Sequence, residues 1–166
     1  MVNLKNIIIF VLVAVVGVFA AFYFFQSEES KVKKKFNLLS ELGSREPGEN
    51  KLALTVKNKQ FKGLFTENCA IEFPAYSISK TFPAQEFARI VFGVLLQYSE
   101  YSPRFYDIGI QIPSENSANA VFTAKLTGKL PSGEYVQDIH EVESTLSKID
   151  GEWLFSGFEV VDVLEK

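Results

Sequence analysis

His140 is the one histidine of the chain, and it stands two residues from Asp138 within the stretch Tyr135–Ile149. In an extended strand residues two apart point to the same side, so this imidazole and carboxylate share a face. A histidine beside a carboxylate titrates near neutral pH and is the pairing that general acid–base chemistry uses. A second carboxylate joins them if the last stretch, Trp153–Val163, folds back across Asp150-Gly151, a dipeptide that favours two-residue hairpins. Counting back from that turn sets Ile149 opposite Glu152, Lys148 opposite Trp153, Leu146 opposite Phe155, Val142 opposite Glu159 and His140 opposite Val161. One predicted face then holds Trp153, Phe155, Val161, Leu146 and Val142 around Asp138, His140 and Glu159, and Tyr98 completes the candidate pocket lining. The other face holds Glu141, Glu143, Thr145, Phe158 and Val160; with Phe122 of the preceding strand, Phe158 and Val160 form a candidate homodimer face. A bulge in either strand exchanges these assignments.

A plainer reading stands beside the chemical one and carries more weight in a chain with a single histidine. In it His140 is a strand residue with its hydrogen bonds met, and Asp138 and Glu159 lie in water at a rim. Tyr98, Tyr101 and Tyr106 fall at element ends, where an apolar ring with a wet hydroxyl is at home. Asp107 and Tyr106 are neighbours in a strand and point to opposite faces, so they make no acid–base pair. Cys69, the lone cysteine, reads as a small buried apolar group, and it excludes an intramolecular disulfide. The sequence holds no phosphate loop, zinc-ligand spacing, nucleophile elbow or dinucleotide fingerprint, so neither a metal nor a cofactor is expected. A net charge of -3 and a pI near 5.3 argue against nucleic acid as a partner.

Positioning these residues falls to helices first and strands last. Ser27 caps a predicted helix with Glu28 and Glu29 in its first turn, and Val32, Phe36, Leu39 and Leu42 recur along one side until Gly43. A second helix is predicted from Asn50, with Leu54, Lys57, Phe61, Leu64 and Phe65 in one stripe. A short strand, Ala70–Phe73, ends at Pro74, and Pro83 opens a third helix whose shared face is Phe87, Ile90, Val91, Val94, Leu95 and Tyr98. From Phe105 the apolar period changes to two, and strands follow to Ile112, over Ala118–Lys129, Tyr135–Ile149 and Trp153–Val163. Three helices and sequential hairpins make an α+β domain over 27–166 with an antiparallel sheet.

Ahead of that domain, residues 1–26 contain the uncharged run Ile7 to Phe25, IIIFVLVAVVGVFAAFYFF. As a helix it is roughly 28 Å long, close to the hydrocarbon thickness of a bilayer, which predicts one transmembrane anchor. A cleaved signal needs small residues at the cut, and Val18-Phe19-Ala20 is the one weak candidate, so a cleaved secreted form is the lesser alternative. Lys31, Lys33, Lys34 and Lys35 behind the run favour a cytoplasmic domain, whereas a short tail with only Lys5 ahead of it is how signal anchors begin. The reading adopted is a single-pass protein of a bacterial inner membrane with an extracytoplasmic domain.

The ending ESTLSKIDGEWLFSGFEVVDVLEK, with an Asp-Gly turn, a tryptophan two residues later and a valine-rich last strand, resembles the C-terminal hairpin of nuclear transport factor 2-like proteins. The resemblance spans roughly Lys31 to Glu165 and includes the ketosteroid-isomerase-like and SnoaL-like groups. It implies a cone-shaped curved antiparallel sheet wrapped around about three N-terminal helices, an inner pocket and an outer sheet face that often dimerises. Its motif is structural, so what it implies is a ligand-binding or assembly module, taking a small apolar ligand or a membrane-complex partner, without evident catalysis. The alternative it leaves open is a small-molecule lyase, isomerase or hydrolase that uses His140 with Asp138 or Glu159.

Overall fold

The computed structural model describes residues 27–163, and Val15 ahead of them. The expected anchor otherwise lies outside the described residues, among which no helix is long and apolar enough to cross a membrane. Helix α1, Glu28–Leu42, begins where the sequence places it: the Ser27 side chain accepts from the Ser30 amide, and Glu28 and Glu29 lie at the positive end of the helix dipole. It buries Val32, Phe36, Leu39 and Leu42 and stops at Gly43. A Cβ there would sit 2.8 Å from the Leu39 carbonyl oxygen and 3.5 Å from the Phe61 ring, so only glycine lets the chain turn this close to the next helix.

Helix α2, Lys51–Lys62, is capped by Asn50, whose side chain accepts from the Ala53 amide. It ends at Gly63, earlier than expected, so Leu64 falls in the turn and Phe65 opens strand β1, Phe65–Phe73. A 3-10 turn, Pro74–Tyr76, leads into β2, Ile78–Pro83, a strand the sequence reading did not recognise. Helix α3, Ala84–Leu95, is rotated from its expected orientation. Ala84, Ala88, Phe92 and Leu95 are buried, Phe87 and Val91 are half-buried, and Ile90 and Val94 are exposed. Small alanines let α3 lie close to α2, where Asn58 donates to the Ala88 carbonyl.

Strands β3 (Glu100–Ser114), β4 (Ser117–Lys129), β5 (Tyr135–Ile149) and β6 (Glu152–Val163) form successive hairpins. The six-stranded sheet has the order β2-β1-β6-β5-β4-β3. It is curved and open, and antiparallel except where β1 runs parallel to β6, a departure from the expected all-antiparallel sheet. The Asp150-Gly151 turn forms as predicted, with both residues at positive φ (50° and 82°), as a type I′ hairpin demands.

Three bulges then decide which side chains face inward. Register slips between Tyr106 and Gly109 in β3, where Asp107 adopts φ 53°; Tyr106 is therefore exposed while Ile108 packs on the core. In β6 the expected pairs hold from Glu152 to Phe155, but Ser156 and Val161 are extra residues, so Val142 faces Val160 and His140 faces Val163. The core gathers where the curved sheet meets the helices. Phe36 of α1 sits at its centre with edge-to-face contacts to Phe105, Phe122 and Phe155 at centroid distances of 5.9, 4.9 and 5.1 Å.

Candidate functional site: the apolar cone

Between the concave side of the sheet and the three helices lies a cavity of about 310 Å³. Its wall draws on every helix: Leu39 and Gly43 close one end, Phe61 the roof, and Phe87 and Val91 the flank supplied by α3. The floor is the inward row of the sheet, including Phe105, Phe122, Ala124, Val142 and Phe158. Of the described residues lining it, Tyr101 alone has a polar side-chain atom. Burial, with smaller contributions from Tyr98 and Asp138, pushes the Tyr101 phenol up to about 12, so it stays protonated and able to donate at neutral pH. Such a wall rewards apolar surface, and among the described residues it offers no base, nucleophile or metal ligand.

The structure takes Glu159 away from Asp138 and His140, which stay together on the face of β5 that looks toward the cone. Glu159 is the clearest correction: the Ser156 bulge turns it to the outer face, directly opposite Glu143 and beside Glu72. Asp138 is exposed, opposite Leu126. His140 is half-buried opposite Ala124, edge-on to Phe73 at 6.2 Å, and its buried Nδ1 has no hydrogen-bond partner among the described residues. None of the three lines the cavity. Trp153 is buried, but its Nε1 donates to Glu28 at 2.7 Å, a contact that fastens α1 to the sheet. Tyr98 packs over Gly128, where a Cβ would come within 2.5 Å of its ring, and lies beside Tyr101 outside the lining.

The same bulge corrects the expected dimer face. Phe158 lies inward, its ring 5.1 Å from Phe155, and Val160 packs against the core; Phe122 is itself core, 3% exposed. Tyr101, Phe87 and Val91 were missed as lining residues. The α3 pair, Phe87 and Val91, shares a stripe with Ile90 and Val94 in sequence, and only the packing of α2 against Ala88 decides which part of that stripe faces inward. Cys69 is fully buried, and desolvation raises its thiol to about 12, in line with an unreactive core residue. Among the described residues no group of three potential ligands could hold a metal ion.

Known structures share this arrangement. A scytalone dehydratase candidate from Novosphingobium aromaticivorans superposes with a TM-score of 0.64 at 18% identity, over 83% of this chain and 85% of its own. A hexachlorocyclohexane dehydrochlorinase from Novosphingobium barchaimii gives 0.62 at 11% identity, over 82% and 88%. The association domain of CaMKII from C. elegans gives 0.57 at 13% identity, over 80% and 92%. These likenesses establish the nuclear transport factor 2-like fold, which enzymes and association domains share. No protein-family profile and no curated protein sequence matches the chain.

Proposed function

We propose that this protein is a membrane-tethered binding module whose cone takes up a small, uncharged, mainly apolar ligand without converting it. One observation carries this reading: the cavity wall is apolar but for Tyr101, and Asp138, His140 and Glu159 are all outside it. Proton-transfer chemistry needs an acid or base within hydrogen-bond reach of the reacting atom, and the cone supplies only a phenol held protonated. Tyr101 then serves to orient a ligand through one hydrogen bond. The apolar run Ile7 to Phe25 provides the tether, with the domain on the extracytoplasmic side.

The test uses the full chain in lipid nanodiscs with naphthalene as the probe. A ligand present at about a hundred times its Kd stabilises the folded state by about 2.7 kcal/mol, enough to raise the unfolding temperature measurably. Naphthalene should raise it for the unmodified protein and not for Ala124→Phe, which fills the cavity. An equal shift in both would show that the cone is not the binding site. The lyase, isomerase or hydrolase reading is checked in parallel with His140→Asn. The imidazole Nδ1 has no hydrogen-bond partner to lose among the described residues, so stability should change by less than about 1 kcal/mol and probe binding should persist. Loss of a measurable turnover in that variant would promote the enzyme.

A further inference from the structure

Helices α2 and α3 leave a groove between them on the side away from the cone. They run antiparallel: Asn58 donates to the Ala88 carbonyl, Phe61 near the end of α2 lies 6.4 Å from Phe87 near the start of α3, and Lys51 shares a wall with Leu96 at the other end. Two hollows of about 440 and 710 Å³ have Asn58, Phe92 and Leu96 in common, so they join into one channel along the helix pair. Leu54 and Phe92 make its floor apolar, and it shares no lining residue with the cone. Leu96 is 56% exposed, and Leu52 and Val56, one turn apart on α2, are 75% and 53% exposed. The charge around the groove is one-sided. Helix α2 carries lysines and no carboxylate; Lys57 is paired with Glu49 at 2.7 Å, whereas Lys51, Lys59 and Lys62 are exposed and make no ion pair among the described residues. On α3, Arg89 stands 3.9 Å from Glu86, the one carboxylate among the described residues lining the groove. Gly93 lies in the wall, inside α3, with no neighbouring heavy atom within 4 Å of where a Cβ would be. Glycine weakens a helix interior relative to alanine, so the fold gains nothing from it here, whereas an element packed closely against α3 would.

We infer that this groove seats an amphipathic helix of a partner protein, apolar on the side that enters and bordered by carboxylates. Helices that lie in grooves are read through apolar anchors three and four residues apart. A groove as long as α2, whose 12 residues span ~18 Å, takes about three turns of such a helix. Leu52, Val56 and Leu96 flank the entering ridge, and Gly93 lets its backbone come close. Lys51, Lys59, Lys62 and Arg89 favour carboxylates along the border and reject a basic partner, which gives specificity more than affinity. An anionic bilayer carries the same charge, but the direction of α2 favours a protein. The end of α2 adjoins the β5–β6 hairpin, because the Leu64 carbonyl accepts from the Phe155 amide at 2.8 Å, and Trp153 of that hairpin holds Glu28 at the start of α1. Its beginning meets Leu96, whose carbonyl Arg45 caps while pairing with Tyr101, and Tyr101 lies across β4 from Val136 at the far end of β5. The groove thus runs away from the proposed tether and stands beside the domain, where a neighbouring protein reaches it and a flat membrane does not.

The experiment uses the full chain in phosphatidylcholine nanodiscs and two fluorescent probe peptides, with empty nanodiscs as the blank. One is an amphipathic helix of leucine, alanine and glutamate; the other has lysine in place of every glutamate. Fluorescence anisotropy should show the acidic peptide binding at least about tenfold more tightly than the basic one, and less so as salt is raised. Gly93→Phe puts a ring into open space in the groove, so it should keep the unfolding temperature while weakening the acidic peptide at least about tenfold. Lys51→Glu with Lys59→Glu should turn the preference toward the basic peptide. Lys51→Gln with Lys59→Gln serves where reversal prevents folding, and should abolish the preference. Equal binding of the two peptides, binding undiminished by Gly93→Phe, or a preference that survives the lysine changes would each overturn the inference. So would loss of the acidic peptide when phosphatidylglycerol is added to the nanodisc, because lipid would then be what covers the groove. Ala124→Phe should still bind the acidic peptide and Gly93→Phe should still bind naphthalene, so failure of the cone reading and failure of this one are distinguishable.

Discussion

Glu28 shows how much one residue can organise. Its carboxylate accepts from Lys148 and Lys31 at 2.8 Å and from Trp153 Nε1 at 2.7 Å, and these hydrogen bonds, Lys148 first, hold it down to about 2 from an ordinary 4.5. A carboxyl group whose folded pKa is depressed contributes stability that is complete above the unfolded value. That contribution is lost as pH falls through the folded value, here between about pH 5 and 2. Glu28→Gln should therefore lower the unfolding temperature at pH 7 and flatten its decline on acidification, as thermal unfolding followed by circular dichroism across that range will show. Equal slopes in both proteins would mean that the three contacts add nothing. Lys35, 2.8 Å from Glu152, makes a second and more exposed fastening of the same helix to the same hairpin.

At the scale of elements, the decisive feature is Ser156. Up to Phe155 strand β6 follows a simple alternation; beyond it one extra residue reverses the side chains as far as the second extra residue, Val161, sending Phe158 and Val160 to the core and Glu159 to the surface. Deleting Ser156 should undo this reversal, turning the Glu159 carboxylate inward and Phe158 outward. Burying an unpaired carboxylate while stripping an aromatic ring from the core costs more than a small domain can spare. The deletion should abolish cooperative unfolding, whereas Ser156→Ala, which removes only the 3.0 Å contact to Thr145, should stay within about 1 kcal/mol of the unmodified protein. A cooperative transition in the deletion variant would show that β6 can slip its register. The same logic explains Ile108 and Tyr106, placed on opposite sides by the Asp107 bulge although they are two residues apart.

For the whole molecule, the Glu28 fastening sets the end of the domain nearest the proposed tether at the β5–β6 hairpin. His140 lies nine residues back along β5 from Ile149, about 30 Å at the rise of an extended strand. With Ile7 to Phe25 in lipid, the His140 end of the cone would point away from the bilayer. About nineteen apolar residues suffice to hold a helix in hydrocarbon, so the full chain should stay with membranes through alkaline carbonate extraction and keep its N-terminus. Recovery of a freely soluble form beginning near Ala21 would replace the anchor with a cleaved signal.

Local physics made much of this protein readable from its residues alone. Ser27 and Asn50 as helix caps, the stripe Val32, Phe36, Leu39 and Leu42, the Asp150-Gly151 turn and the first pairs beyond it all depend on interactions within a few residues, and the sequence states them directly. The ending that resembles the nuclear transport factor 2-like hairpin has that fold for the same reason. Three kinds of information were beyond its reach. Bulges depend on how a strand must bend to wrap the helices, so the faces of Glu159, Phe158 and Val160 were decided only when the sheet closed over Phe36 and Phe155. The rotation of α3 depends on which helix it meets, so an apolar stripe broad enough to face several ways was resolved by contact with α2. β2 escaped notice because a short, mostly exposed edge strand needs β1 beside it to exist at all. Side-chain period is a local property, whereas the choice of which face is inside belongs to the packed molecule, and the candidate site lay wholly on that choice.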